Sequence, residues 1–239
     1  MRLGSENAFL RSLGEDDFEA IVGSLQVVPL GRRERLVEPN QPIEYTYFPI
    51  GAQISVTIAA VGGDEIEIAL VGSEGVSGLV IDPIVDQTPW CYSVQVSGNA
   101  LRIEAAVLTA AISASPSMRQ TAIAFFQAFV TQVSFAALSH GAYSVPKRLA
   151  RWLLMSHDRA ESDQLPFVHE FLALMLAVRR AGVTEAVHIL EGYGAIKARR
   201  GKLTIVDRDK LVEFAGAAYG PAEAEYQRLI GRLTRPTNT

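Results

Sequence analysis

The sequence predicts an α+β chain in three consecutive parts: a β-rich N-terminal domain over residues 1–115, one long helix over 116–143, and a winged helix-turn-helix domain over 144–239. Three observations carry this. Short β-branched runs separated by glycine, proline or asparagine recur from Gln26 to Ile103. No Asp, Glu, Lys or Arg stands between Arg119 and Lys147, and Phe167 to Asp207 reads as helix, tight turn, helix and hairpin with basic residues gathered at one end.

The chain opens with two short helices, because Phe9, Leu10 and Leu13 pair with Phe18, Ile21, Val22 and Leu25 across a break at Ser12 to Glu15. Strands follow at Val27-Val28, Leu36-Val37, Tyr45 to Ile50, Gln53 to Val61, Glu65 to Val71, Tyr92 to Val96 and Ala100 to Ile103. So many short strands at regular spacing read as a sandwich or barrel. The sharpest is Glu65-Ile66-Glu67-Ile68-Ala69-Leu70, preceded by the turn Gly62-Gly63-Asp64. Its strict alternation predicts a half-buried antiparallel strand, with the glutamates on the wet face.

The charge-free stretch is long enough for a membrane span, but glutamine, serine and threonine recur in it and no charged flank or aromatic belt sets an orientation. A coiled-coil seam fits better. Ala122, Phe126, Phe129, Val133, Ala136 and His140 alternate steps of four and three, as a and d positions must. Ile123, Val130 and Ala137 then form a second stripe expected to pack on the chain's own domains, and a helix with two apolar faces implies a dimer.

An amphipathic helix from Val145 to His157 and a polar linker from Asp158 to Gln164 lead into the helix-turn-helix. Its helices are expected at His169 to Leu176 and Arg180 to Gly192, joined by Ala177-Val178-Arg179 and followed by a hairpin from Ala195 to Val206 with Arg200-Gly201 at its tip. Leu172, Leu176, Val178, Val183, Val187 and Leu190 fall where a helix contact buries them. What remains outward is basic. Arg179 and Arg180 lie at the start of the second helix, where a recognition helix meets the major groove and free N–H groups favour phosphate. Lys197, Arg199, Arg200 and Lys202 decorate the hairpin. Thr184, Glu185 and His188 along the second helix and His169 at the start of the first complete the expected set of DNA contacts, with Arg180 as the base reader.

Charge distribution agrees. Through Tyr143 there are 7 Lys and Arg against 15 Asp and Glu, whereas from Ser144 onward there are 15 against 11. A basic surplus in one half is the electrostatic footprint expected for a phosphate backbone. Other classes fit poorly. The single cysteine, Cys91, allows no intramolecular disulfide, iron–sulfur cluster or cysteine-based zinc site and reads as a small buried strand residue. The four histidines are far apart, and Ala173 stands where a zinc-protease helix after His169-Glu170 needs its second histidine, so neither metal nor cofactor is expected. An enzyme finds no support: Gly72 to Gly78 lacks the Lys-Ser/Thr of a phosphate-binding loop, and Leu79 spoils a Gly-x-Ser-x-Gly elbow at Ser77. Met1 to Asp17 carries scattered charges in place of an apolar targeting stretch, so a cytoplasmic protein is expected.

The order of strands, long helix and winged motif, and above all Phe171 to Thr184 (Phe-Leu-Ala-Leu-Met-Leu-Ala-Val-Arg-Arg-Ala-Gly-Val-Thr), resembles the Crp/Fnr regulators. The resemblance implies a jelly-roll-like β-roll sensor domain of the cyclic-nucleotide-binding type. It also implies a homodimer across the long helix, with Ala122, Phe126, Phe129, Val133 and Ala136 in the contact, and regulation of transcription at inverted-repeat operators on double-stranded DNA. RNA polymerase and a small-molecule effector stand as further candidate partners, the effector pocket falling at Gly75, Val76, Ser77, Gly78, Trp90 and Tyr92. Two departures limit the resemblance. Val76 replaces the glutamate that holds a ribose, and Gln87 to Ser93 carries no arginine for a cyclic phosphate; cyclic AMP is therefore not the expected effector, since a buried unpaired anion is costly. In the second helix Ala181 and Glu185 stand where many relatives read bases with Glu and Arg. The rival expectation is a signalling protein whose winged domain binds protein in place of DNA.

Overall fold

The structure, a computed structural model, describes residues 4, 6–59, 63, 65–199 and 201–231. Val61, Gly62 and Asp64 of the expected first hairpin, and Arg200 of the expected wing tip, lie outside these residues.

Helices α1 (Ala8–Ser12) and α2 (Glu15–Val22) open the chain. Asn7 caps the first: its Oδ1 accepts from the Leu10 N–H at 3.2 Å, while its Nδ2 donates to the carbonyls of Pro49 and Gly75 at 3.2 and 2.9 Å. Seven strands follow: β1 (Gln26–Leu30), β2 (Arg35–Val37), β3 (Tyr45–Ile50), β4 (Gln53–Ala59), β5 (Glu65–Val71), β6 (Cys91–Val96) and β7 (Gly98–Glu104). They form two antiparallel sheets, ordered β1-β7-β3 and β2-β6-β4-β5. Phe48, Ile54, Val56, Val94, Leu101 and Ile103 from both sheets enter one core. Gly98 belongs there by necessity, since a Cβ would lie 2.5 Å from the Ala52 nitrogen.

Strand β5 departs from the expected wet and dry alternation. Glu65 is half-buried and Glu67 is buried, because the face that carries them is covered by another part of the chain rather than by water. Alternation reports which residues share a face, and it is silent on what covers the polar one.

Helix α3 (Ala105–Ala114) precedes the long helix α4 (Pro116–Ala142). Ser115 starts α4, accepting from the Met118 N–H at 3.2 Å, with Pro116 in the first turn. By length and composition α4 could cross a bilayer, with a mean hydropathy of 1.5; one of its faces, however, is part of the core. That face is the one expected to meet a partner. Ala122, Phe129 and Ala136 are buried within the chain together with Phe125, Val133 is half-buried, and Phe126 is 46% exposed. The second stripe, Ile123, Val130 and Ala137, is exposed. The stripe expected to meet a partner is thus the one packed within the chain, because the β-sheets take the stripe rich in alanine and phenylalanine, and the stripe expected to pack on the chain's own domains is left exposed.

Beyond α4 come α5 (Val145–Asp158), β8 (Gln164–Leu165), α6 (His169–Met175), α7 (Arg180–Gly192), β9 (Ile196–Arg199), β10 (Lys202–Ile205), α8 (Arg208–Ala215), a 3-10 turn at Gly216–Ala218 and α9 (Pro221–Leu229). A second core holds Leu149, Leu153, Phe167, Leu172, Val183, Leu190, Leu203 and Leu211. The hairpin gains a third strand from the supposed linker, in the order β8-β10-β9. Helix α9 leaves this core: its Tyr226 joins the first one. Helix α5 is buried from Leu149 to Asp158 on all sides, since it lies between the two cores.

Candidate nucleic-acid interface

The turn of the helix-turn-helix is built by backbone hydrogen bonds. The Val178 N–H donates to the Ala173 carbonyl at 3.0 Å and the Ala177 N–H to that of Leu174 at 3.1 Å, the paired bonds of a Schellman motif. Ala177 holds the left-handed position such a motif requires, with φ +48°. Arg179 is then the N-cap of α7 and supplies no side-chain cap, so the first N–H groups of that helix face outward beside Arg180. Val183, Ala186, Val187 and Leu190 turn inward to hold α7 against the second core.

The wing is fixed to the same helix. Glu191 of α7 accepts from the Ala198 N–H at 2.7 Å, and β9 pairs with β10 so that Arg199 faces Lys202. Gly201 turns between them at φ +77°. An open cleft of about 400 Å³ lies between the start of α6, the start of α7 and the wing, and His169, Glu170, Arg180, Arg199 and Lys202 line it.

Four of the expected DNA contacts therefore meet at one cleft: His169, Arg180, Arg199 and Lys202. Thr184 joins them through His169 Nδ1, 3.1 Å from its hydroxyl. Arg179 is exposed at the helix start, Glu185 and His188 are exposed farther along α7, and Lys197 is exposed on β9. Arg200 lies outside the described residues. Sequence reasoning missed Glu170. Its Oε1 stands 3.0 Å from Arg180 Nη1, both side chains about 70% exposed, so Arg180 is held by a weak, water-screened partner.

Beneath this surface the domain is clamped to the β-sheets by buried polar groups, which sequence reasoning also missed. Trp152 Nε1 donates to Glu67 Oε1 at 2.5 Å. Gln53 and Ser156 exchange two hydrogen bonds, at 3.0 and 2.7 Å. Arg159 Nε pairs with Glu74 Oε1 at 2.7 Å with both side chains under 5% exposed, and the Tyr226 hydroxyl donates to the Glu74 carbonyl. Burial pushes the Glu67 carboxyl up from 4.5 to about 7, against the hydrogen bonds from Ser55 and Trp152 that favour its ionised form. Its surroundings accommodate the proton. Ser55 Oγ lies 2.5 Å from Glu67 Oε2 and 3.5 Å from Met175 Sδ of α6, so a protonated Glu67 donates to Ser55 and Ser55 donates to the sulfur.

The residues expected to line an effector pocket are packed away. Gly75, Val76, Ser77 and Gly78 are buried, Tyr92 is 7% exposed, and Trp90 packs on Phe129 with ring centroids 5.5 Å apart. A Cβ at Gly75 would meet the Phe125 ring at 2.7 Å. Val76 belongs to the first core, and the Ser77 hydroxyl has no hydrogen-bond partner among the described residues.

Residues 147–214 match the Crp-like helix-turn-helix domain family. Known structures share the fold over most of the chain. FixK2 from Bradyrhizobium japonicum is 16% identical, with 82% of this chain and 99% of that one covered at a TM-score of 0.70. A Crp/Fnr-family protein from Eubacterium rectale is 18% identical, with 86% and 96% covered at 0.67. The c-di-GMP responsive global regulator CLP of Xanthomonas campestris is 16% identical, with 80% and 99% covered at 0.62. Comparison with curated protein sequences found no match.

Proposed function

For a chain that carries a Crp-like helix-turn-helix domain on a Crp/Fnr-type fold, we propose a DNA-binding regulator of transcription that works as a homodimer on inverted repeats. The observation that carries this reading is the cleft, where Arg180, Arg199 and Lys202 meet beside the uncapped start of α7. Duplex phosphates suit the wing lysine and arginine, which position the protein without reading sequence. Arg180 exchanges the weakly held Glu170 for a guanine edge, where a bidentate contact gives about 1–3 kcal/mol of discrimination.

Dimerisation runs along the exposed stripe of α4. Ile123, Phe126, Val130, Val133 and Ala137 alternate steps of three and four, and Ile123 is 53% exposed. Two recognition helices related by that seam lie about one duplex turn apart, roughly 34 Å, which sets the half-site spacing near 10 bp or a multiple of it. Phe126→Asp is expected to sediment as a monomer at micromolar concentration; a persistent dimer would place the seam elsewhere. Cyclic AMP and cyclic GMP are not effectors in this reading, because Val76 and its neighbours already fill the position with apolar atoms.

Selection of duplexes from a random library by the purified protein tests the function. The expected product is an inverted repeat. Arg180→Ala is expected to flatten the difference between selected and scrambled duplex, while Lys202→Ala weakens both alike and lowers the salt slope by about one counterion per protomer. No enrichment, or affinity independent of salt, would overturn the reading in favour of a protein partner for the winged domain.

A further inference from the structure

A small cavity lies at the junction of the two cores and shares no lining residue with the cleft beside the wing. It has room of about 20 Å³, enough for a single water-sized or halide-sized occupant, and it is lined by Glu67 of β5, Ser139 and His140 of α4, and Arg148, Arg151 and Trp152 of α5. Two arginines stand there beside a single carboxyl, that of Glu67, which bonds to neither. Arg151 is 6% exposed yet makes no ion pair or hydrogen bond with another described residue, and its buried Nη2 is unpartnered. Arg148 directs Nη2 to His140 Nδ1 at 2.6 Å and to the Leu176 carbonyl, which leaves its buried Nε unpartnered as well.

The neighbouring groups leave both open N–H groups without an acceptor. Since an arginine N–H can only donate, His140 Nδ1 must accept; the ring proton is then on Nε2, which lies 3.4 Å from the Glu67 carbonyl. Burial and then Arg148 hold His140 below its ordinary value, in the neutral form. Glu223 and then Glu67 attract Arg151 through space, but neither bonds to it, and burial raises the Glu67 carboxyl to about 7, so its charge is diminished below that pH. A buried guanidinium with no bonded counter-charge is unfavourable, and buried donors without acceptors are rare in folded proteins.

We propose that this junction cavity binds a small inorganic monoanion of halide size, held by Arg151 Nη2 and Arg148 Nε. The anion supplies both missing acceptors, which stand on α5 in a cavity that α4 and β5 help to line. Binding only to the docked arrangement, it strengthens the junction by mass action.

Chloride is the probe, used with the full-length protein free of DNA. The chloride NMR line is expected to broaden with the wild-type protein and to sharpen on addition of bromide. Arg151→Met removes most of that broadening, whereas Arg228→Met, at an exposed arginine that does not line the cavity, keeps it. In chloride-free buffer Arg151→Met melts higher than wild type, being relieved of an unpaired buried charge, and added chloride raises the wild-type melting temperature alone. Crystals of the wild-type protein grown in bromide are expected to show an anomalous peak between the two arginines, a readout that does not depend on any variant folding. Broadening that survives Arg151→Met, or a cavity holding water and no bromide, would overturn the proposal.

Discussion

The winged domain has two sets of charges that obey opposite rules. At the cleft, Arg180 and Glu170 are 3.0 Å apart with side chains about 70% exposed, and such a pair contributes at most about 1 kcal/mol. At the junction, Arg159 and Glu74 are 2.7 Å apart with almost no exposure, so neither can lose the other without leaving a buried charge. Distance is nearly the same and consequence is not. The first arrangement lets a ligand replace one partner at little cost, as a reading surface requires; the second fixes where that surface is held relative to the β-sheets.

The largest effect expected from this contrast is at the buried pair. Arg159→Met leaves the buried Glu74 carboxylate without its counter-charge, held by the Gly72 N–H, and should lower stability by about 3–5 kcal/mol in urea unfolding. Adding Glu74→Gln, which removes the charge but keeps an acceptor for the Gly72 N–H, should recover most of the loss. Glu170→Ala at the cleft should change stability by under about 1 kcal/mol. Equal effects at the two sites would break the comparison.

A smaller effect sharpens it. Folding raises the Glu67 carboxyl from 4.5 to about 7, so the folded protein holds a proton that the unfolded chain releases between those values. The stability this contributes is complete below pH 4.5 and is lost as pH rises through about 7. Glu67→Gln keeps an acceptor for Trp152 and can donate to Ser55, yet has no proton to lose. It should match wild type closely at pH 4 and exceed it at pH 8 by on the order of 3 kcal/mol. A variant that loses stability with pH as the wild type does would show that Glu67 ionises without cost.

Much of the fold was legible because local pattern and tertiary role agreed. The bounds Tyr45–Ile50, Glu65–Val71 and Arg180–Gly192 follow from alternation, turn residues and helical spacing alone. Where one pattern serves two environments the sequence is ambiguous. Both stripes of α4 are apolar, and nothing in their spacing says that Ala122 and Phe129 meet the sheets while Ile123 and Val130 stay outside. Glu67 was placed in water because alternation marks a polar face without naming its cover, and here the cover is Trp152, 85 residues away in the chain. Strand β8 has two residues, too few to show a period. At the cleft, Arg180, Arg199 and Lys202 were readable as outward basic residues, whereas the Glu170–Arg180 pair depends on the crossing of two helices.

The smallest expected effect lies between the two charged surfaces, in the turn that joins α6 to α7. Ala177 occupies the left-handed position of the Schellman motif at φ +48°, where a Cβ meets the carbonyl oxygen and a glycine does not. Glycine is also freer in the unfolded chain, which subtracts from the benefit. The steric term is about 1–2 kcal/mol and the entropic one about 0.5–1, so Ala177→Gly should stabilise by roughly 0.5–1 kcal/mol, visible as a higher urea midpoint with an unchanged slope. Ala177 is exposed, so the change creates no cavity to confuse the reading. Because the substitution alters neither the exposed pair nor the buried one, it should leave the salt dependence of DNA affinity and the pH dependence set by Glu67 as they are. A lower midpoint would mean that the turn relaxes away from the left-handed region, and that the hydrogen bonds from Ala177 and Val178 do not hold the recognition helix in the way described.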